Sequence, residues 1–143
     1  MKKNKSLIGW REWVSLPEIG IKRIKAKVDT GARTSALHAF EVDPYKRARQ
    51  DRVRFYMHPF QERKDIVVEC DALVVDYRAV TDSGGHKEKR YVIQTQIVLG
   101  GEAWPIEITL TDRETMKFRM LLGRTAMRKH VIVDPGKSYL LGK

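Results

Sequence analysis

The chain has 143 residues, 42% of them hydrophobic and 32% charged. That length suits one domain with a core of its own and leaves little room for two. A single cysteine, Cys70, excludes an internal disulfide framework and any four-cysteine zinc site. Lysine and arginine together number 28 against 18 aspartates and glutamates, a net charge of +10. Such a charge attracts polyanions, whether nucleic acid, acidic peptides or anionic membrane, and does not choose among them.

Met1 to Ser6 is basic, but only Leu7, Ile8 and Gly9 follow before Trp10, Arg11 and Glu12. No apolar signal core forms, and no later stretch approaches a membrane span. The reading is a cytoplasmic protein of one domain over 1–143, with residues 1–6 a flexible basic tail. From Ile21 to Val28 the residues alternate, Ile24, Ala26 and Val28 on one face and Arg23, Lys25 and Lys27 on the other. This predicts a half-buried strand with a basic outer face. Asp43 to Arg52 is predicted helical, with Asp43 as cap and Pro44 at the first position. Arg52 to Met57 alternates again, and Ile66–Val68 and Leu73–Val75 read as two short buried strands.

Ser83-Gly84-Gly85 sits between strand patterns, so Arg78 to Arg90 is predicted to be a hairpin with Asp82, Ser83, Gly84 and Gly85 at its tip. Tyr91 to Leu99 and Ala103 to Leu110 read as strands joined by a Gly100-Gly101 turn. Pro105 argues for an edge position or an irregular start of the second. Thr125 to His130 is a short helix. A last hairpin is predicted between Val131–Val133 and Tyr139–Leu141, across Asp134-Pro135-Gly136-Lys137. The pattern as a whole is that of a mostly β single domain.

Among the chemistry-bearing residues, the four histidines and Cys70 show no zinc-ligand spacing, and no phosphate loop or nucleophile elbow occurs. Neither metal nor cofactor is expected. The informative stretch is Val28-Asp29-Thr30-Gly31-Ala32, directly after an alternating strand. Gly31 permits a sharp turn and close approach of another chain segment, and the Thr30 hydroxyl can hold the turn. Asp29 ends a buried strand, where a carboxylate is costly unless used or paired. Alone, such a tripeptide is most often a plain turn. Near the C-terminus, Met120-Leu121-Leu122-Gly123-Arg124 adds an apolar run directly before a glycine and an arginine.

Asp-Thr-Gly-Ala followed by a hairpin, two strands and an apolar pair before Gly resembles the retropepsin-like aspartic protease pattern, over about Ile21 to Leu141. The chain is more similar still to a bacterial and archaeal branch labelled ATP-dependent zinc proteases. The shared blocks are Ile8-Gly9-Trp10-Arg11-Glu12, Lys25 to His38, Leu110-Thr111-Asp112-Arg113 and Met120 to Arg124. The label finds no counterpart in a phosphate loop or zinc motif here. The resemblance implies a retropepsin-like closed β-barrel, mostly β with one short C-terminal helix, and an aspartic endopeptidase.

Under that resemblance Asp29 is the catalytic residue, Thr30, Gly31, Ala32, Leu122 and Gly123 support its loop, and the Arg78–Arg90 hairpin is the flap. Aspartic proteolysis needs two carboxylates sharing a proton. Asp82-Ser83-Gly84 lacks the context of a second copy, so one chain supplies one Asp and a homodimer is implied. The basic surface, with Lys22, Arg23, Lys87, Lys89 and Arg90 near the expected cleft, suggests an acidic or glutamate-rich peptide substrate. The resemblance adds that family members partner glutamate-adding ligases. The competing expectation is a non-catalytic basic β-barrel that binds nucleic acid or a protein tail.

Overall fold

Two-residue periodicity decides most of the chain. In the computed structural model, which describes residues 5–60, 62–81, 84–112 and 117–142, the described residues form eleven strands and one four-residue α-helix. They are β1 (Ser6–Ile8), β2 (Arg11–Leu16), β3 (Ile21–Asp29), β4 (Ser35–His38), β5 (Phe40–Arg47) and β6 (Gln50–Met57). There follow β7 (Val68–Thr81), β8 (Lys87–Leu99), β9 (Glu102–Thr111), β10 (Met120–Gly123), α1 (Arg124–Met127) and β11 (Val131–Val133). A 3-10 turn, Pro17–Ile19, ends at Gly20 in the left-handed region and leads into β3. No helix among the described residues is long and apolar enough to cross a membrane.

Nine strands form one sheet in the order β2-β3-β10-β4-β9-β8-β7-β6-β5. A further pairing, Ser15 with Val98, joins β2 to β8. Six strands, β2, β3, β10, β4, β9 and β8, therefore close a hydrogen-bonded ring, and β7, β6 and β5 extend from it. The core is continuous. Ile24 and Ala26 from β3, Leu37 from β4, Ile93 and Ile97 from β8, Ile108 from β9 and Leu122 from β10 are all fully buried. The alternation in β3 places its basic residues outside, as the sequence predicts.

Several expectations need correction. Asp43–Arg52 is not a helix: it makes the β5–β6 hairpin, which turns through Ala48 and Arg49 at φ 51° and 68°. Two successive left-handed residues give the turn that matches strand twist, even without glycine. Ile66–Val68 and Leu73–Val75 are not two buried strands. The single strand β7 begins at Val68, and both Val67 and Val75 are exposed.

Pro105 lies in a strand flanked on both sides, β9, but in its first half. There Pro105 pairs with Gln96 of β8, and the β4 pairing starts only at Ile108. The missing N–H therefore costs no ladder bond on the β4 side. The Gly100-Gly101 turn is as expected, with both glycines at positive φ. The last hairpin does not form. Asp134 makes the expected turn, accepting the Gly136 amide at 3.0 Å, but β11 pairs in parallel with β1, and residues 139–141 are not a strand. Ser6 belongs to β1 rather than to a tail, while residues 1–4 lie outside the described residues.

The chain's two ends are tied together by Glu12. It is fully buried, and Oε2 accepts the amides of Gly9 at 2.7 Å and Leu140 at 2.9 Å, while Oε1 accepts that of Leu141 at 3.2 Å. Gly9 is required beside it. A Cβ there would stand 2.6 Å from the carbonyl carbon of Lys137. Trp10 donates its amide to Lys137 and meets Phe118 edge-on at 5.9 Å.

Candidate active site

Asp29 is the last residue of β3. The strand emerges from the core beside β10, and the parallel register places Leu122 opposite Val28 and Gly123 opposite Asp29. The carboxylate is half-buried, and its Oδ1 accepts the Gly31 amide at 3.0 Å. The Ala32 amide donates to the Asp29 carbonyl at 3.2 Å, closing the turn. Gly31 is not in the left-handed region, so its role is space: a Cβ would approach Asp29 Oδ1 to 3.3 Å. Thr30 is exposed, and among the described residues its hydroxyl has no hydrogen-bond partner. Asp29 itself, not Thr30, holds the turn within the chain.

The loop is clamped from the C-terminal side. Gly123 donates its amide to the Ser35 hydroxyl at 3.0 Å, and a Cβ on Gly123 would lie 2.6 Å from the carbonyl carbon of Thr34. Arg124 donates its amide to the Ala32 carbonyl at 2.8 Å and its guanidinium to the Gly31 carbonyl at 3.1 Å. Thr125 donates both amide and hydroxyl to the Arg33 carbonyl. The apolar run before Gly123 thus serves as a buried strand, and the residues after it pair with the backbone of the Asp29 loop. Leu122 is fully buried behind Val28, whereas Ala32 is half-buried at the loop surface.

A cavity of about 480 Å³ opens beside Asp29. Its walls come from the Asp29–Thr34 loop, from Leu121, and from the start of the β7–β8 hairpin, Arg78 to Thr81 with Arg90. Asp29 is the one carboxylate among its described lining residues. The hairpin is registered with Arg78 opposite Arg90 and Thr81 opposite Lys87. Of its expected tip, Asp82 and Ser83 lie outside the described residues; Gly85 turns at φ +82° with open space around it.

Arg78 reaches the Thr34 hydroxyl at 3.3 Å and Glu107 at 3.6 Å, and so ties the hairpin to the loop. Arg90 was expected as a surface charge near the cleft. It is buried instead, held by Glu88 at 2.9 Å, while Lys87 and Lys89 are exposed. Among the described residues no three His, Cys, Asp or Glu side chains converge on a point that would hold a metal ion.

Glu12, Ser35 and Arg124 are the residues sequence reasoning left without a role. Arg124 follows the apolar-Gly pair directly, which is a signal in the sequence. Glu12 bonds nearby Gly9 but also Leu140 and Leu141, and Ser35 bonds Gly123, partners remote in sequence that leave no local trace.

A ring of strands with Asp-Thr-Gly-Ala at the end of one and Leu-Leu-Gly-Arg on its parallel neighbour is the construction of a retropepsin-like aspartic endopeptidase. The chain belongs to the RimB-like family, described as the retropepsin-like aspartic endopeptidase RimB, whose family model matches residues 7–143.

Among its relatives is a probable alpha-L-glutamate ligase of Shewanella pealeana, 48% identical over 143 residues, covering 100% of this chain and 31% of that protein. A second probable alpha-L-glutamate ligase, from Parasynechococcus marenigrum, is 48% identical over 138 residues, 96% of this chain and 30% of that protein. The chain thus spans less than a third of the length of these relatives. A solved structure from Legionella pneumophila, a protein of unknown function (DUF785), superposes with a TM-score of 0.83. It is 25% identical, with 96% of this chain and 99% of that one covered.

Proposed function

We propose that the chain hydrolyses peptide bonds as a homodimer, with Asp29 of each protomer forming one half of a shared carboxylate pair. The observation that carries this reading is the cavity beside Asp29, which has a single described carboxylate in its walls. One carboxylate cannot both take a proton from the attacking water and give one to the substrate carbonyl at the same moment. Two like carboxylates in contact cannot both ionise, so one keeps a proton and the roles divide.

A two-fold axis beside the exposed Thr30-Gly31 turn would bring the second Asp29 to the same cleft. The β7–β8 hairpin, which shares the cavity wall, acts as the flap that covers a bound chain and excludes water. The substrate is an acidic, glutamate-rich peptide. The net charge of +10 supports this. So do the relatives named as glutamate ligases, in which a region 48% identical to this chain occupies 31% of the length.

The test is Asp29→Asn, compared with the parent by hydrolysis of a glutamate-rich peptide and by circular dichroism. Hydrolysis falls by at least about a hundredfold, as expected for loss of a general acid–base group, while the fold is kept. A dilution series followed by light scattering and activity together shows specific activity declining as dimer dissociates. Full activity in folded Asp29→Asn, or in a strictly monomeric sample, overturns the reading.

A further inference from the structure

The outer face of β2 and β3 concentrates positive charge. The antiparallel register sets Arg11 directly opposite Lys27, and Trp13 opposite Lys25. Like charges directly opposite on one face of a sheet repel. Lys25 and Lys27 share one face at a repeat of about 6.6 Å, and Arg23, beside an irregularity in the β2–β3 ladder, joins them by stacking over Trp13. Among the described residues none of Arg11, Arg23, Lys25 and Lys27 forms an ion pair.

Aromatic rings hold three of these cations in place. The Arg11 guanidinium lies 4.5 Å from the Trp10 ring centre and 4.9 Å from that of Tyr139. Arg23 stacks 3.8 Å over Trp13, and Lys25 sits 5.2 Å from Trp13 and 5.8 Å from Tyr139. A ring face attracts a cation without neutralising it. The result is a row of positive charge without ion pairs among the described residues, although Glu62 shares a cavity wall with Trp13 and Lys25. The side chains of the row lie outside the cavity lining at Asp29.

We infer that this β2–β3 face is an anchoring site for an extended acidic peptide, bound by Arg11, Arg23, Lys25 and Lys27. The choice of an acidic chain rests on the substrate class proposed above; the site itself rests on charge and register. An extended peptide also places alternate side chains on one face every two residues. Its carboxylates therefore match the cation row in spacing as well as in sign. β3 runs from this row directly into Asp29, six residues and about 20 Å beyond Arg23. A long acidic chain held here keeps its remaining length close to the cleft, which raises its effective concentration there.

The probe is a fluorescently labelled peptide of ten glutamates, titrated by anisotropy into Asp29→Asn protein so that no turnover intervenes. The variant carrying Arg23→Gln, Lys25→Gln and Lys27→Gln in addition is expected to bind at least tenfold more weakly, with the gap closing as salt rises. The charge-keeping pair Lys25→Arg and Lys27→Arg restores binding. Should the glutamine variant not fold, acetylation of Lys25 and Lys27 in the native sequence gives the same answer, since bound peptide protects both.

Parental affinity in a folded glutamine variant, or no protection of those lysines, overturns the inference even where Asp29→Asn is inactive. A protein that binds through the row yet hydrolyses nothing overturns the proposed function and leaves this site standing. If a ten-nucleotide single strand binds more tightly than the peptide and is lost in the same variant, the face is a nucleic-acid site instead.

Discussion

Gly123 lies against Thr34 so closely that a Cβ would stand 2.6 Å from the Thr34 carbonyl carbon and 2.9 Å from the Ser35 nitrogen. The obstacle is the Thr34–Ser35 peptide group itself, and backbone cannot rotate away. This contact lets the Gly123 amide reach the Ser35 hydroxyl at 3.0 Å while the Arg124 amide reaches Ala32. It sets the distance between β10 and the loop that carries Asp29.

Gly123→Ala is therefore expected to cost about 1–3 kcal/mol, the range for overpacking a tight site. Hydrolysis should fall further than the loss of folded protein explains, because the Asp29 loop shifts with the strand. Urea unfolding and activity per folded molecule are the two measurements. An alanine variant with parental stability would mean that the strands can separate freely here.

Glu12→Ala is expected to cost about 2–4 kcal/mol: the buried Gly9 amide loses its acceptor, at about 1–3 kcal/mol, and the part-buried Leu140 and Leu141 amides, which water can reach, add less. Glu12→Gln keeps one acceptor oxygen and should lose less. The amides concerned, Gly9, Leu140 and Leu141, should become the first to exchange with deuterium, well before those of the sheet. Uniform exchange across the molecule would count against Glu12 as the tie between the chain ends.

Burial pushes the Cys70 thiol up to about 12, from 9.0, with a smaller contribution from neighbouring Glu69. The folded protein therefore holds its proton where the unfolded chain gives it up. Stability from this residue is complete below about pH 9 and drains away as pH rises toward 12. A thiol reagent at pH 8 should label Cys70 only as fast as the protein opens, and Cys70→Ala should flatten the alkaline limb of the stability profile. Immediate labelling of the native protein would contradict the burial.

Strand periodicity was legible because it is local. Ile24, Ala26 and Val28 against Arg23, Lys25 and Lys27 state the inside and outside of β3 with no other residue consulted. The turn at Gly100-Gly101 is equally local, and Asp29-Thr30-Gly31-Ala32 stands out as a candidate site only in combination with Leu122-Gly123, since the tripeptide alone is most often a plain turn. The Asp43–Arg52 segment reads as a helix because Asp43-Pro44 imitates a helix start while the hairpin turn at Ala48-Arg49 carries no glycine or asparagine to announce it, and the pairing of β6 with β7 fixes the strands. At the C-terminus the Asp134 turn forms as the sequence predicts, but β11 pairs with β1, more than a hundred residues earlier.

What the residues determined by themselves was the local conformation: which faces are apolar, where the chain turns, and which carboxylate stands at a strand end. Only the tertiary structure decided that six strands return on themselves through Ser15 and Val98, that Arg90 turns inward to Glu88, and that Arg11 faces Lys27. The ring closure and the Arg11–Lys27 opposition are contacts between separate strands, while Arg90, only two residues from Glu88, is buried by what packs over it. The strand contacts depend on a register that no single segment carries, and they appear once the ring has closed.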